Sequence, residues 1–189
     1  MLVIGAGAVG MLVAAIATLA GAARVCIADI NGGRVAFAKA QGWATHTYVS
    51  DVTSGVKVSA EGVLDAVCCR EGVDVVYECT GMETCVQAGI YAARAGGTLM
   101  LIGMGNPVMT LPISAAALRE VDILGGFRYA NTYALGIELL ASGKLKGVEG
   151  LVTQRFVGLE NVSEAFEMAR RKTDEDGGLV VKVEVQLEG

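Results

Sequence analysis

Three glycines near the start of the chain have the spacing Gly5-x-Gly7-x-x-Gly10 and follow a short apolar run. Asp29 ends a second apolar run at about the 20-residue distance that a dinucleotide fingerprint requires. In this pattern the first glycine permits a tight turn, the second lets backbone approach a pyrophosphate, and the third allows close helix packing. The following helix would present its N–H groups and partial positive charge to the phosphates. The spacing therefore predicts binding of an adenine dinucleotide.

Asp29 predicts which dinucleotide is favoured. Its carboxylate can accept hydrogen bonds from the adenosine ribose and would repel a 2′-phosphate, so the sequence favours NAD over NADP. Arg34 follows near the start of the next predicted helix. Its guanidinium is placed to stack on adenine or to contact the ribose. The alternative is that Arg34 is a solvated helix residue with no role in binding.

Strand and helix patterns alternate along residues 1–142, which is typical of a parallel doubly wound sheet. The predicted strands span residues 1–4, 24–28, 44–48, 74–79, 97–102 and 122–126. The predicted helices span residues 8–20, 32–41, 59–70, 82–94, 113–119 and 131–142. Two mononucleotide-binding halves would supply six strands, so we predict an α/β Rossmann domain over residues 1–142. The segment 143–189 is predicted to be a separate strand–helix–strand unit, with elements at 151–157, 160–171 and 179–187.

Glycine-containing segments follow the fourth, fifth and sixth predicted strands, at residues 78–81, 102–105 and 126–129. Ligands of open α/β sheets bind outside the carboxyl ends of the strands, so these segments should lie beside the glycine-rich turn. Their glycines would let main-chain groups approach a flat nicotinamide ring, and Thr80 is a predicted cofactor contact. Glu78 and Arg128 also lie in these segments and could serve the site. The alternative for Glu78 is a buried carboxylate with no role beyond accepting hydrogen bonds, and the alternative for Arg128 is a structural ion pair.

The other reactive residue types form no recognisable catalytic or metal-binding pattern. His46 is the single histidine and lies in a predicted strand, and the five cysteines contain no Cys-x-x-Cys pair. A zinc site needs several such ligands, so we predict no metal site in this chain. A P-loop, a Tyr-x-x-x-Lys pair and a nucleophile–histidine arrangement are also missing, so we predict no catalytic residue. The thiols are expected to be reduced and mostly buried, with Cys68 and Cys69 in a helix.

Composition argues against two classes of partner. The formal net charge is −5 and the sequence has no basic stripe, so nucleic acid is not expected to bind. Residues 1–23 contain no charged side chain, and a stretch of this length is long enough for a membrane span. Glycines divide this stretch into a strand and a helix, however, and no basic flank precedes it. We therefore expect no membrane association and a cytoplasmic location.

Longer stretches of the sequence resemble the medium-chain zinc-dependent dehydrogenases. The segments that carry the resemblance are residues 5–10, Asp29, Arg34, 78–81, 101–104, 111–124, 127–133 and 156–185. Of these, 111–124 and 127–133 are the more specific, and they resemble the polyol branch: the sorbitol, xylitol and L-arabinitol dehydrogenases of the fungal type. The resemblance covers essentially the whole chain.

This resemblance implies positions for the cofactor and the substrate. It implies that Val9, Asp29 and Arg34 bind the adenosine and pyrophosphate side of NAD. The residues that it places around the nicotinamide are Ile102, Gly103, Met104, Gly126, Phe127 and Arg128. Arg128 and Tyr129 match positions that also touch the polyol.

In that family a catalytic zinc polarises the alcohol and hydride passes from the polyol to NAD, giving a ketose. The family's N-terminal catalytic domain with the zinc ligands has no counterpart here, and the resemblance implies that residues 143–189 are the remnant that would complete that domain. We therefore expect a fragment that binds NAD, does not bind zinc and does not oxidise polyols by itself. The family also implies a homodimer or homotetramer, in which the last Rossmann strand pairs across a two-fold axis. Two other interpretations stay open: an NAD-sensing module without chemistry, and a structural module that dimerises without NAD.

Overall fold

The computed structural model describes residues 1–187 and contains a six-stranded parallel sheet. Its strands are β1 Leu2–Ile4, β2 Cys26–Asp29, β3 His46–Val49, β4 Val73–Glu78, β5 Ala93–Leu101 and β6 Asp122–Gly125. The strands lie in the order β3-β2-β1-β4-β5-β6. Strands β2 and β3 lie on one side of β1, and β4, β5 and β6 lie on the other, so the strand order reverses between β1 and β4. Ligand crevices form at such a point in open parallel sheets. The predicted Rossmann fold is confirmed.

Six helices connect or follow these strands. They are α1 Ala8–Leu19, α2 Gly32–Ala40, α3 Val56–Ala66, α4 Glu83–Ala92, α5 Ile113–Ala117 and α6 Tyr133–Ala141. All three residues of β1 are buried, because helices cover both faces of a parallel sheet and leave its central strands no exposed side. Val63 of α3, Ile90 of α4 and Leu99 of β5 belong to one cluster of buried hydrophobic residues.

Helix α3 starts and ends earlier than the predicted span 59–70. The Arg24 guanidinium donates to the Val67 and Cys68 carbonyls, at 3.3 and 2.8 Å, and these two residues directly follow Ala66, the last residue of the helix. Cys68 then takes a left-handed φ of 53°. The prediction that Cys68 and Cys69 lie in a helix is therefore wrong, and so is the expectation of mostly buried thiols, because only Cys26 is fully buried and Cys68 is exposed.

Strand β5 begins at Ala93, four residues before the predicted start at 97. The register between β4 and β5 shifts between Val73 and Val75, which accommodates the additional residues. Arg94 of the added segment donates to Asp74 of β4 at 2.7 Å. A pairing of this kind depends on the neighbouring strand and has no local sequence signal.

The chain divides into two compact units, Met1–Leu145 and a second that begins at Lys146. In the second unit β7 Val152–Val157 pairs in parallel with β8 Lys182–Gln186, and helix α7 Val162–Ala169 connects them. Strand β8 starts after the predicted residue 179, because Leu179 instead pairs with Thr173 in an antiparallel bridge. The division at residue 142 remains a prediction, and residues 188–189 of the predicted segment lie outside the described residues. Within residues 1–187 no helix has the length and apolar character to span a membrane.

Candidate dinucleotide-binding site

The chain turns sharply after β1, and the motif glycines serve this turn in different ways. Gly5 has a φ of +102°, and its N–H donates to the Ala28 carbonyl at 2.8 Å. A Cβ at Gly10 would collide with the carbonyl oxygen of Gly5, so α1 can lie this close to the turn only with glycine there. A Cβ at Gly7 would meet no atom within 4 Å. The space beside Gly7 is therefore open, and packing of the protein does not require glycine at that position.

Helix α1 begins at this open space. Gly7 is its N-cap and has no side chain to cap the helix, and the first turn contains no acidic residue. Val9, in that first turn, is 54% exposed. The first N–H groups of the helix and its positive dipole end are therefore available to an anionic group such as a pyrophosphate.

Asp29, at the end of β2, is hydrogen-bonded through both carboxylate oxygens. Oδ2 accepts from the Ala6 N–H at 2.6 Å, and Oδ1 accepts from the Asn31 N–H at 2.8 Å. Asn31 is the N-cap of α2, and its side chain accepts from the Arg34 N–H at 3.2 Å. These bonds join the glycine-rich turn to the start of α2. Each carboxylate oxygen can accept a further hydrogen bond, so Asp29 retains capacity for ribose hydroxyls.

The loop after β4 is organised by Glu78, which is fully buried. Its Oε1 accepts from the N–H of Thr80 at 2.7 Å and from the Thr80 hydroxyl, and its Oε2 accepts from the N–H of Gly81 at 2.9 Å. The Thr80 oxygen in turn accepts from the Met82 N–H at 3.0 Å. The hydroxyl of Thr80 is thus turned into the protein. Its methyl group faces the glycine-rich turn, 2.8 Å from where a Cβ of Gly5 would stand.

The loops after β4 and β5 lie backbone against backbone. A Cβ at Gly81 would stand 2.5 Å from the carbonyl carbon of Met104, and a Cβ at Gly103 or Gly105 would collide with the backbone of Gly81. The expected reason for these glycines was the close approach of a nicotinamide ring. The structure supplies a different reason, since each of the three is required by the neighbouring loop.

Three of the residues predicted for the nicotinamide and polyol are strongly exposed. Met104 is 76%, Phe127 73% and Tyr129 61% exposed. Arg128 lies over the Phe127 ring at 5.0 Å, and Tyr129 packs edge-to-face against the first residue of α6 at 4.7 Å. Gly126 directly follows β6 and lies beside Ile102, because a Cβ at Gly126 would stand 2.9 Å from the Ile102 Cδ1. The predicted site residues thus lie at or shortly after the ends of β1, β2, β4, β5 and β6, which are all carboxyl ends of parallel strands in one sheet.

A cavity of about 250 Å³ opens beside β2 and contains residues that the sequence analysis missed. Ile30 and Met82 line it and are 54% and 59% exposed, and Asp51 also contributes. Hydrogen bonds from Thr53 keep the pKa of the Asp51 carboxyl below its usual value. Ile30 could have been predicted to line this cavity, because it is an apolar residue that directly follows Asp29, the acidic residue of the fingerprint.

A family model described as zinc-binding dehydrogenase matches residues 8–142 of the chain. The chain belongs to this zinc-binding dehydrogenase family. Sorbitol dehydrogenase from Gallus gallus is 41% identical over 168 residues, which cover 88% of this chain and 45% of that protein. The Bos taurus sorbitol dehydrogenase is 40% identical over 189 residues, which cover 100% of this chain and 49% of that protein. The chain thus spans about half the length of the curated relatives it matches, and the resemblance to the polyol branch is confirmed.

Solved structures of other proteins share this fold. An Escherichia coli oxidoreductase of unknown specificity has a TM-score of 0.82 at 24% identity, covering 100% of this chain and 50% of that one. A zinc-binding dehydrogenase from Sinorhizobium meliloti bound to NADP has a TM-score of 0.82 at 23% identity, covering 98% of this chain and 51% of that one. At these identities the similarity establishes the fold.

The family name implies zinc, and the residues described here do not fit that ion. Among residues 1–187 no three His, Cys, Asp or Glu side chains converge as metal ligands would. The cysteine in the loop after β4 is also unsuited to metal binding as a thiolate, because burial, and then the neighbouring Glu78 charge, raise the pKa of Cys79 to about 12.

Proposed function

We propose that this chain binds NAD and forms the cofactor-binding portion of a zinc-dependent polyol dehydrogenase. The observation that carries the proposal is the juxtaposition, at the point where the strand order reverses, of an open space at Gly7, uncapped N–H groups of α1 and the Asp29 carboxylate. An adenine dinucleotide has an anionic pyrophosphate and, about one ribose away, hydroxyl groups that need an acceptor. The site matches that sequence of charges and hydrogen-bonding groups.

The cavity beside Asp29 is proposed to hold the adenine. Adenine has apolar faces and a polar edge, and the cavity combines the half-exposed Ile30 and Met82 with the carboxylate of Asp51. A ribose bonded to Asp29 would direct the base into this space. Arg34 lies in the first turn of α2. We propose that its guanidinium contacts the adenine or the ribose.

The nicotinamide is proposed to lie along the loops after β5 and β6. Residues 102–104 and 126–128 would hold it, and Arg128 and Tyr129 would also contact a polyol, as the family resemblance implies. When bound, NAD supplies the hydride acceptor for oxidation of an alcohol carbon. We expect this chain alone to bind NAD without turning over sorbitol or xylitol.

The open edge of the sheet supports the proposed homodimer or homotetramer. In the described sheet β6 is the last strand, and Leu124 within it is 46% exposed. An unpaired strand edge is a template for pairing with a second strand, so we propose that two copies pair through β6. A cytoplasmic location remains an expectation from the sequence.

Calorimetry with two matched glycine variants tests the cofactor proposal. Gly7 and Gly55 are the N-caps of α1 and α3, both have extended backbone, and a Cβ at either would meet no atom within 4 Å. Alanine at either N-cap should therefore cost a similar amount of stability, about 1 kcal/mol or less. Gly7→Ala should weaken NAD binding by about tenfold or more, because its methyl group occupies the space meant for the pyrophosphate, while Gly55→Ala should bind like the unmodified chain.

Three results would count against the proposal. The first is that the unmodified chain binds neither NAD nor ADP-ribose. The second is that both glycine variants lose affinity equally, which would indicate a general effect of helix capping. The third is that NADP binds as tightly as NAD, which would contradict the role given to Asp29.

A further inference from the structure

Glu78 is the one charged side chain among the described residues that is fully buried, and the proposed function gives it no role. It ends β4 directly beside Ile4 of β1, at the point where the strand order reverses. Burial of a carboxyl group is costly unless hydrogen bonds compensate for the lost water. Here the compensating donors all belong to the loop that immediately follows.

The carboxylate determines how Thr80 is oriented. The hydroxyl proton of Thr80 is donated to Glu78 Oε1, and the Thr80 oxygen accepts from the Met82 N–H at 3.0 Å. With both bonds made, the side chain is held in one rotamer, and its methyl group faces the glycine-rich turn at Gly5.

The same carboxylate also holds the backbone at Gly81. Glu78 Oε2 accepts from the Gly81 N–H at 2.9 Å, and Gly81 lies directly against the backbone of Met104 and Gly105. The Glu78 carbonyl oxygen accepts from the N–H groups of Ile102 and Gly103, both at 2.9 Å. One residue therefore connects the loop after β4 to the loop proposed for the nicotinamide, while Thr80 connects it to the turn proposed for the pyrophosphate.

We infer that Glu78 is a positioning residue of the dinucleotide site, which sets NAD affinity by holding Thr80 and Gly81 between the glycine-rich turn and the loop after β5. This inference rests on the proposed function. Glu78 acts through its neighbours and does not itself touch the cofactor, since its side chain is fully buried.

The test is Glu78→Gln in the full chain, with NAD and ADP-ribose affinity measured by calorimetry. Glutamine keeps the shape but replaces one acceptor oxygen with an NH₂ group, which would face a donor of the loop. We expect NAD to bind about tenfold more weakly. Thr80→Val keeps the shape and removes the hydroxyl, and should weaken NAD binding about threefold. The double variant should lose less than the product of the two effects, because both changes break the same contact.

Val76→Ala is the matched control for a purely structural effect. Val76 is fully buried in the same strand, so its truncation should lower the melting temperature without touching the loop. At a temperature where all variants are folded, Val76→Ala should bind NAD like the unmodified chain. If Glu78→Gln also binds normally there, the inference is wrong and the proposed function stands. If Glu78→Gln does not fold, normal NAD binding by Thr80→Val overturns the inference. If the unmodified chain does not bind NAD, both fail.

Discussion

The loop after β4 and the loop after β6 lie along the same edge of the sheet, but they are held very differently. In the first, the buried Glu78 carboxylate accepts hydrogen bonds from Thr80 and Gly81, and glycine allows direct contact with the next loop. In the second, the Phe127 ring is 73% exposed. Arg128 takes a left-handed φ of 55°, which costs a residue with a Cβ on the order of 1 kcal/mol.

This difference separates the two proposed halves of the cofactor site. On the proposed pyrophosphate and adenosine side, partly buried hydrogen bonds to Asp29 and Glu78 hold the backbone in place without a ligand. The nicotinamide and polyol side exposes apolar rings, and exposed apolar surface of this kind commonly marks a place where a ligand or partner binds. Buried, hydrogen-bonded segments open rarely, whereas exposed loops with few contacts open readily.

Thiol alkylation gives the largest expected contrast. The pKa of Cys79, in the loop after β4, rises from 9.0 to about 12 on burial, so its thiolate fraction at pH 8 falls about a thousandfold. We expect Cys79 to react with iodoacetamide about a thousandfold more slowly than an unfolded cysteine, and its rate to rise about tenfold per pH unit below pH 12. Pulsed labelling and mass spectrometry measure both rates, with the exposed Cys68 as the reference. Equal labelling of Cys79 and Cys68 would show that the loop opens freely.

The close packing of α1 on the glycine-rich turn gives the next largest effect. Gly10→Ala places a methyl group into the Gly5 carbonyl oxygen, so it should lower the free energy of unfolding by about 3 kcal/mol. NAD affinity should fall as well, because the turn must move. Urea denaturation measures the first effect and calorimetry the second. Gly136→Ala in α6 is the control, since its Cβ meets no atom within 4 Å and alanine favours a helix by about 1 kcal/mol. Equal stability of the two variants would contradict the close packing.

The exposed side should show the smallest effect. Phe127→Ala is expected to change the free energy of unfolding by no more than about 0.5 kcal/mol, because the ring is mostly solvated. Its affinity for ADP-ribose, which lacks the nicotinamide, should stay the same, while its affinity for NAD should fall if the ring contacts the nicotinamide. Thermal melts and calorimetry with both ligands test this. A loss of ADP-ribose affinity would show that the two loops are coupled and would remove the contrast between them.

Local patterns in the sequence were sufficient to predict the Rossmann fold and the glycine-rich turn. Buried parallel strands are short apolar runs, and the helices between them have their own periodicity, so the alternation along residues 1–142 is visible without a structure. The positive φ of Gly5 and the close contact of Gly10 also follow from a spacing that spans only six residues. Asp29 could be found because it ends the second apolar run, at the distance from the glycines that the fingerprint requires.

Tertiary contacts decided the rest, because they join residues that are far apart in the sequence. Arg24 donates to the carbonyl groups of Val67 and Cys68 directly after helix α3, and no pattern within the helix predicts that contact. Gly81 and Gly105 are required by each other across two loops. The role of Glu78 depends on burial and on donors brought to both its oxygens, neither of which residue type reveals. The sequence by itself determined where the glycine-rich turn lies, and folding determined how the surrounding loops are held.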